Sequence, residues 1–142
     1  MTERFLEVSQ EVGAALFARN ITGEVVMLNL LRFREVADYS ANPELMPNGP
    51  ISGAEAYQKY IDHTLPFLRE SGGDLVFLGK GGKYLIGPQG DQWDLVMLVR
   101  QKSLSDFFAF SSNKEYLAGV GHRTAALEDS RLLPLVESKT AT

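Results

Sequence analysis

Three side chains in this sequence are of types that can carry acid/base chemistry on a small molecule. Asn29 interrupts an apolar run, while Tyr60 and His63 are spaced to share one face of a predicted helix. Histidine is the side chain best suited to proton transfer near neutral pH, and a buried amide needs a hydrogen-bond partner. We therefore predict His63, Asn29 and Tyr60 as catalytic candidates. The structural alternative for each is a core side chain whose polar group is satisfied inside the protein.

Two arginines can hold an anionic group. The guanidinium groups of Arg32 and Arg123 can each bind a carboxylate in a bidentate manner. A structural interpretation competes with this one, because Arg32 can pair with Asp94 or Glu128, and Arg123 with Asp94 or Asp129. We predict both arginines as ligand-binding residues and leave the ion pairs open.

Trp93 and His122 complete the predicted ligand-binding residues. Trp93 can form a wall for an aromatic ligand, although a single tryptophan at the start of a strand also suits a core or a dimer interface. His122 lies seven residues before Asp129 and forms either a dyad with it or a solvated pair. Two histidines without suitably spaced carboxylates give no metal signature. Lys80-Gly81-Gly82-Lys83 is a better hairpin turn than a phosphate loop.

Composition limits the class of protein. The chain has 142 residues, no cysteine and a net charge of -4, with lysine and arginine scattered along it. This length fits one domain over residues 1–142. The absence of a basic stripe argues against a nucleic-acid partner, and the apolar runs are too short for a membrane span. No secretory signal is recognisable at the N-terminus. We therefore expect a cytoplasmic protein.

Hydrophobic periodicity positions the candidate residues on an alternating set of helices and strands. The long loop at 35–52 is unusual, and Ser52 begins a capping-box spacing for the helix that follows, which Gly72-Gly73 ends. The predicted elements are a helix over 2–18 with Thr2 as N-cap, a strand over 25–33, a helix kinked at Pro66, strands over 74–78 and 83–86 joined at 80–82, a strand over 93–100, helices from Ser103 and over 114–128, and a terminal strand over 132–136.

This order predicts an α+β fold: a ferredoxin-like βαββαβ core over 23–136 with an extra N-terminal helix over 2–19. Such a core makes one sheet with helices on one face. The strands around Val25 and Leu95 are nevertheless apolar on both faces. A second copy of the chain is the simplest cover for the other face, so we predict a homodimer that pairs as a dimeric α/β barrel.

The chain resembles the domain-of-unknown-function family 1330 of the dimeric α/β-barrel superfamily. The segments that carry this resemblance are Val25–Leu31, Tyr57-Gln58-Lys59-Tyr60, Gly72-Gly73, Trp93–Val96 and Glu115-Tyr116-Leu117 with Arg123 downstream. The resemblance covers about Val25 to Pro134 and implies the ferredoxin-like fold. It implies no activity, because the superfamily includes monooxygenases, isomerases, haem proteins and ligand-binding regulators.

Three functions are compatible with the sequence. The first is an enzyme without a cofactor, an isomerase or monooxygenase that acts on a small acid or aromatic substrate. The second is a non-catalytic module that binds or senses a small molecule. The third is a haem-linked role that uses Asn29, Trp93 and His122.

Overall fold

The fold is the predicted ferredoxin-like α+β arrangement. A computed structural model describes residues 3–142. Its antiparallel sheet has four strands in the order β2-β3-β1-β4, formed by β1 (Val25–Phe33), β2 (Asp74–Lys83), β3 (Gln92–Gln101) and β4 (Leu127–Leu135). The two strands that the sequence shows as apolar on both faces, β1 and β3, lie at the centre.

The helices alternate with the strands in the βαββαβ order, with α1 before β1. They are α1 (Gln10–Ala18), α2 (Gly53–Glu70), α3 (Leu104–Ser111), α4 (Lys114–Leu117) and α5 (Val120–Ala126), with a 3₁₀ turn at Pro43–Leu45 in the long loop. The predicted capping box is confirmed, because Ser52 Oγ accepts the Glu55 amide and Glu55 accepts the Ser52 amide. Gly72 ends α2 at a φ of +91°, which favours glycine. The helix continues through Pro66.

One face of the sheet is buried beneath these helices. Leu31 and Met97 belong to a core that includes Tyr57 from α2 and Ala126 from α5. A second cluster joins the start of β1 to α3, and α1 reaches it through Leu16 and through Phe17, whose ring centre lies 6.0 Å from that of Phe108. The helices therefore cover the face of the sheet that carries Met27, Asn29 and Leu31.

The opposite side of the sheet, which we call the open face, is also apolar. Phe77 and Leu133 on it are 54% and 55% exposed. None of its apolar side chains belongs to the two clusters formed beneath the helices of residues 3–142. The pairing registers assign to it Val26, Leu28 and Leu30 of β1, Val96 and Leu98 of β3, Phe77 of β2 and Leu133 of β4.

The N-terminal helix is shorter than predicted. It begins at Gln10, where Ser9 Oγ accepts the Val12 amide, instead of near Thr2, which lies outside the described residues. Residues 3–9 form no helix because tertiary hydrogen bonds hold this backbone: the Phe5 amide donates to Asp129 and the Leu6 carbonyl accepts from Arg123.

The hairpin between β2 and β3 turns later than predicted. The predicted turn at 80–82 and the strand over 83–86 are wrong, because β2 continues to Lys83 and Lys80 and Gly82 pair with Leu95 and Trp93. A Cβ at Gly81 would collide with the Trp93 carbonyl. The glycine is needed for close approach of two strands, and the reversal falls in the segment 84–91 instead.

The predicted helix over 114–128 is two helices and part of a strand. It is interrupted at Ala118-Gly119, where the His63 ring lies so close that a Cβ at residue 119 would overlap it. The last strand starts at Leu127, five residues earlier than predicted, so Glu128 belongs to β4. Pro134 lies on this edge strand, where a residue without an amide proton is tolerated.

Candidate functional site

His63 joins two helical elements. Its Nε2 atom lies 2.7 Å from the Glu115 carbonyl oxygen, and its ring packs on Phe67 and against Gly119. These contacts fasten α2 to the start of α4 and α5. The catalytic role predicted for His63 would have to coexist with this structural one.

Asn29 and Tyr60 also have partners within the protein. The Asn29 amide donates to the Met27 carbonyl in the same strand at 3.1 Å. The Tyr60 hydroxyl lies 2.8 Å from that of Tyr116, and burial raises the pKa of Tyr116. The polar groups of Asn29 and Tyr60 are therefore both hydrogen-bonded within the protein.

His122 and Arg123 point to different partners. His122 Nδ1 lies 2.7 Å from the Tyr39 hydroxyl. Arg123 donates to the Leu6 carbonyl at 2.6 Å and to Ser130 Oγ at 3.4 Å, so neither Asp94 nor Asp129 is its hydrogen-bond partner. Arg123 therefore fastens the N-terminal segment to β4.

Arg32 and Trp93 are brought together at one end of the sheet. The Arg32 guanidinium lies 4.5 Å from the centre of the indole ring, and the Arg131 guanidinium lies 5.2 Å from the same ring. Arg131 also stacks on Phe5 at 4.6 Å. Asp129 lies between the two arginines, at 2.7 Å from Arg131 and 3.8 Å from Arg32. We call these five residues the arginine–tryptophan cluster.

The charge of Asp129 is maintained by its surroundings. Burial would raise the pKa of this carboxyl, but hydrogen bonds from the Phe5 amide, the Arg131 guanidinium and the Ser130 amide outweigh burial and lower it. The side chain is 2% exposed and is ionised near neutral pH. The cluster therefore contains two cations and one anion.

Sequence reasoning missed Asp129 and Arg131 as members of this cluster because the last strand was predicted to begin at Leu132. With β4 starting at Leu127, Asp129 pairs with Arg32 and Arg131 pairs with Leu30. The alternation of Asp129 and Arg131 with period two was the available signal.

A groove on the helix side of the sheet lies near these residues. It has a volume of about 640 Å³ and lies between the first half of α2 and the ends of β2 and β3. The stripe Ala54, Tyr57, Gln58 and Ile61 forms the helical wall, because these positions share one helix face. The sheet contributes Phe33, Leu78, Lys80, Gln92, Asp94 and Leu95, and the loop contributes Arg34, Glu35 and Ser52.

The groove has an apolar floor and a polar rim. Tyr57 is fully buried. Burial is the main cause that raises the pKa of its hydroxyl, and the nearby Tyr60 raises it further, so the hydroxyl is neutral near pH 7. Asp94 accepts hydrogen bonds from the Phe33 amide at 2.8 Å and from Gln92 at 3.1 Å. None of the seven predicted site residues lines this groove.

Comparison with known proteins gives one strong likeness. No family model and no curated protein matches the chain. The crystal structure of RPA0582, a protein of unknown function from Rhodopseudomonas palustris, is 34% identical with a TM-score of 0.86, over 97% of this chain and 100% of that chain. The chain belongs to the family of RPA0582. A methylated form of RPA0582 matches with the same identity and TM-score, over 98% of each chain.

Outside the RPA0582 family the likeness is weaker. A ferredoxin-like protein of unknown function from Thermobifida fusca, described as dimeric, is 15% identical with a TM-score of 0.47, over 81% of this chain and 92% of that chain. Within residues 3–142, no helix is long and apolar enough to cross a membrane. No three His, Cys, Asp or Glu side chains in that range cluster to hold a metal ion.

Proposed function

We propose that this member of the RPA0582 family binds a small organic molecule in the groove between α2 and the sheet, and that it works as a homodimer. The groove carries the proposal. Its volume of about 640 Å³ is within the range of small-molecule sites, and an apolar floor with a few polar rim groups is typical of them.

The open face supports the homodimer. Four strands about 4.8 Å apart and about 30 Å long present roughly 600 Å² per protomer, close to the half-interface of a stable complex. Leu85 and Ile86 in the segment 84–91 are also 97% and 93% exposed. A symmetric partner covers an apolar face with the same apolar face, so a second copy of the chain fits this surface.

Binding is better supported than catalysis by the contents of the groove. Tyr57 lines it with a neutral hydroxyl whose raised pKa makes it a hydrogen-bonding group and not a base. The alternative function, a cofactor-independent isomerase or monooxygenase, keeps some support because the Tyr57 ring contacts Tyr60, which shares a hydrogen bond with Tyr116. The roles predicted for His63, Asn29 and Tyr60 stay predictions within it.

One more specific family assignment and one more specific function also stay predictions. One is membership of the domain-of-unknown-function family 1330. The other is the haem-linked role, in which Trp93 Nε1 and His122 Nδ1 would have to exchange their present partners, Tyr84 and Tyr39, for haem. A Soret band after addition of haemin would support this role, and a flat titration would exclude it.

Filling the groove tests the proposal. Leu78 lines it from β2, and Leu78→Trp places an indole in its floor. With p-cresol as a neutral aromatic probe, we expect saturable shifts of the methyl resonances of Ile61 and Leu95 in NMR spectra. The Leu78→Trp variant should weaken binding about tenfold or more.

Val76→Trp is the matched control. Val76 is an exposed residue on the same strand, outside the groove lining. This variant should bind p-cresol as the wild type does. The proposed binding site would be wrong if p-cresol caused no saturable shift at millimolar concentration, or if both tryptophan variants weakened binding equally.

A further inference from the structure

We propose that the arginine–tryptophan cluster is a second binding site, on the opposite side of the sheet from the groove, and that it holds the carboxylate of a small organic acid. The cluster has two guanidinium groups on one indole ring and a single carboxylate between them. One positive charge is therefore left over in a partly buried place, where an added anion is attracted strongly.

The hydrogen bonds within the cluster leave donors for a ligand. Arg131 donates from Nη1 to the Asp129 carboxylate and the Ser130 carbonyl, and Arg32 donates from Nε to the Gln92 carbonyl. The distance of 3.8 Å between Arg32 Nη1 and Asp129 Oδ2 is too long for a hydrogen bond. Because each guanidinium has five N–H donors, both arginines keep donors that no group in residues 3–142 occupies.

The geometry of both arginines is fixed before a ligand arrives. Trp93 is 5% exposed, and its Nε1 donates to the Tyr84 hydroxyl at 2.7 Å, so the ring on which they stack is held in place. Stacking over an indole restricts a guanidinium without using its in-plane donors. A pre-positioned pair loses less conformational entropy on binding a carboxylate than two free side chains would.

A second copy of the chain does not supply the missing anion from its open face. The charged residues at the strand positions of that face are Arg32, Arg100, Arg131, Asp129 and Asp74, which is the register partner of Arg100. Asp129 Oδ1 already accepts three hydrogen bonds, and Asp74 Oδ1 accepts from Arg69 and from the Leu75 amide. In a symmetric dimer through this face, which rests on the proposed function, both carboxylates keep the partners that they have within their own chain. The anion is therefore a ligand.

The surroundings define the rest of the ligand. Leu30 pairs with Arg131 on one side and with Val96 on the other, so an apolar shelf starts beside the two guanidinium groups. A carboxylate bound to Arg32 and Arg131 directs its substituent towards this apolar surface, where the partner's open face encloses it in the proposed homodimer. The site is thus suited to a short aliphatic or aromatic acid, in preference to inorganic phosphate.

Fluorescence of Trp93 tests the proposal directly, because it is the single tryptophan of the chain. Titration with hexanoate should change its emission saturably, with an affinity that falls as salt is added. Hexanamide should cause no change, and inorganic phosphate should bind more weakly than hexanoate. Arg131→Gln and Arg32→Gln should each weaken hexanoate binding about tenfold or more.

Arg100→Gln is the matched control, since Arg100 lies at the other end of the same face and pairs with Glu24 at 3.7 Å. It should bind hexanoate as the wild type does. If Arg131→Gln does not fold, Arg131→Lys keeps the charge and loses the planar fork, and the same weakening is expected. Equal responses to hexanoate and hexanamide, or an unchanged affinity in the arginine variants, would overturn the site. The p-cresol titration reports on the groove separately.

Discussion

His122 is the predicted site residue whose protonation is most clearly affected by its surroundings. Its pKa is lowered, first by burial and then by the charges of Lys59 and His63. The neutral ring can accept the Tyr39 hydroxyl at Nδ1, 2.7 Å away, and the protonated ring cannot. A histidine whose pKa is lower in the folded state stabilises the fold above its ordinary pKa of about 6.5, and this contribution is lost as the pH falls.

Replacing His122 with asparagine removes the titration but keeps an acceptor near the position of Nδ1. We expect the melting temperature of the wild type to fall between pH 7 and pH 5 by more than that of His122→Asn, measured by thermal denaturation across this range. The opposite order, with the variant more sensitive to acid, would mean that protonation of His122 stabilises the fold.

At the residue scale, the sequence could predict types of side chain but not their partners. Arg32 and Trp93 were identified from their chemistry, and the structure brings them into contact. Their other partners, Asp129 and Arg131, depend on the register of β4 against β1. Register is a property of the assembled sheet, and a strand predicted to start five residues too late hides it.

At the scale of the element, the glycines of β2 explain why the predicted turn at 80–82 is wrong. A Gly-Gly pair in a sequence favours a turn, but Gly81 lies inside a continuous strand against the Trp93 carbonyl. A Cβ at the neighbouring Gly82 meets no atom within 4 Å. The two glycines therefore have different reasons to be present, and no local pattern distinguishes them.

Alanine substitutions should separate the two positions. Gly81→Ala forces a methyl group against a backbone carbonyl that cannot move freely, and should cost about 1–3 kcal/mol of unfolding free energy. Gly82→Ala should be neutral or stabilising by less than about 1 kcal/mol. Urea denaturation of both variants measures this difference, and equal effects would contradict the close approach of β2 and β3.

The break between α4 and α5 also depends on tertiary contacts. Periodicity predicts one helix through residues 114–128, whereas the His63 ring occupies the space beside Gly119 and β4 recruits the last two residues. Elements with strong local signals were predicted well, such as α2 with its capping box and β1 with its apolar run. The start of α2 is fixed by hydrogen bonds within its own segment, and the extent of β1 follows from its own apolar pattern. Neither needs a distant partner.

At the scale of the whole molecule, the order of elements was enough to predict the ferredoxin-like fold, because few arrangements of βαββαβ bury one sheet face under a single layer of helices. The groove could not be predicted in the same way. It exists because α2 leaves the ends of β2 and β3 uncovered, and that depends on where a helix packs across the sheet. The open face followed from the apolar runs of β1 and β3.

The homodimer is the central claim about the whole molecule, and its mass is the most direct test. Sedimentation equilibrium at micromolar concentration should give twice the chain mass of 15.7 kDa. Leu133→Arg places a charge on the open face and should give single chains with unchanged circular dichroism. Leu132 is the neighbour of Leu133 and lies on the helix side of the sheet, so the Leu132→Arg variant should remain dimeric. A wild-type protein that sediments as a single folded chain would contradict the account.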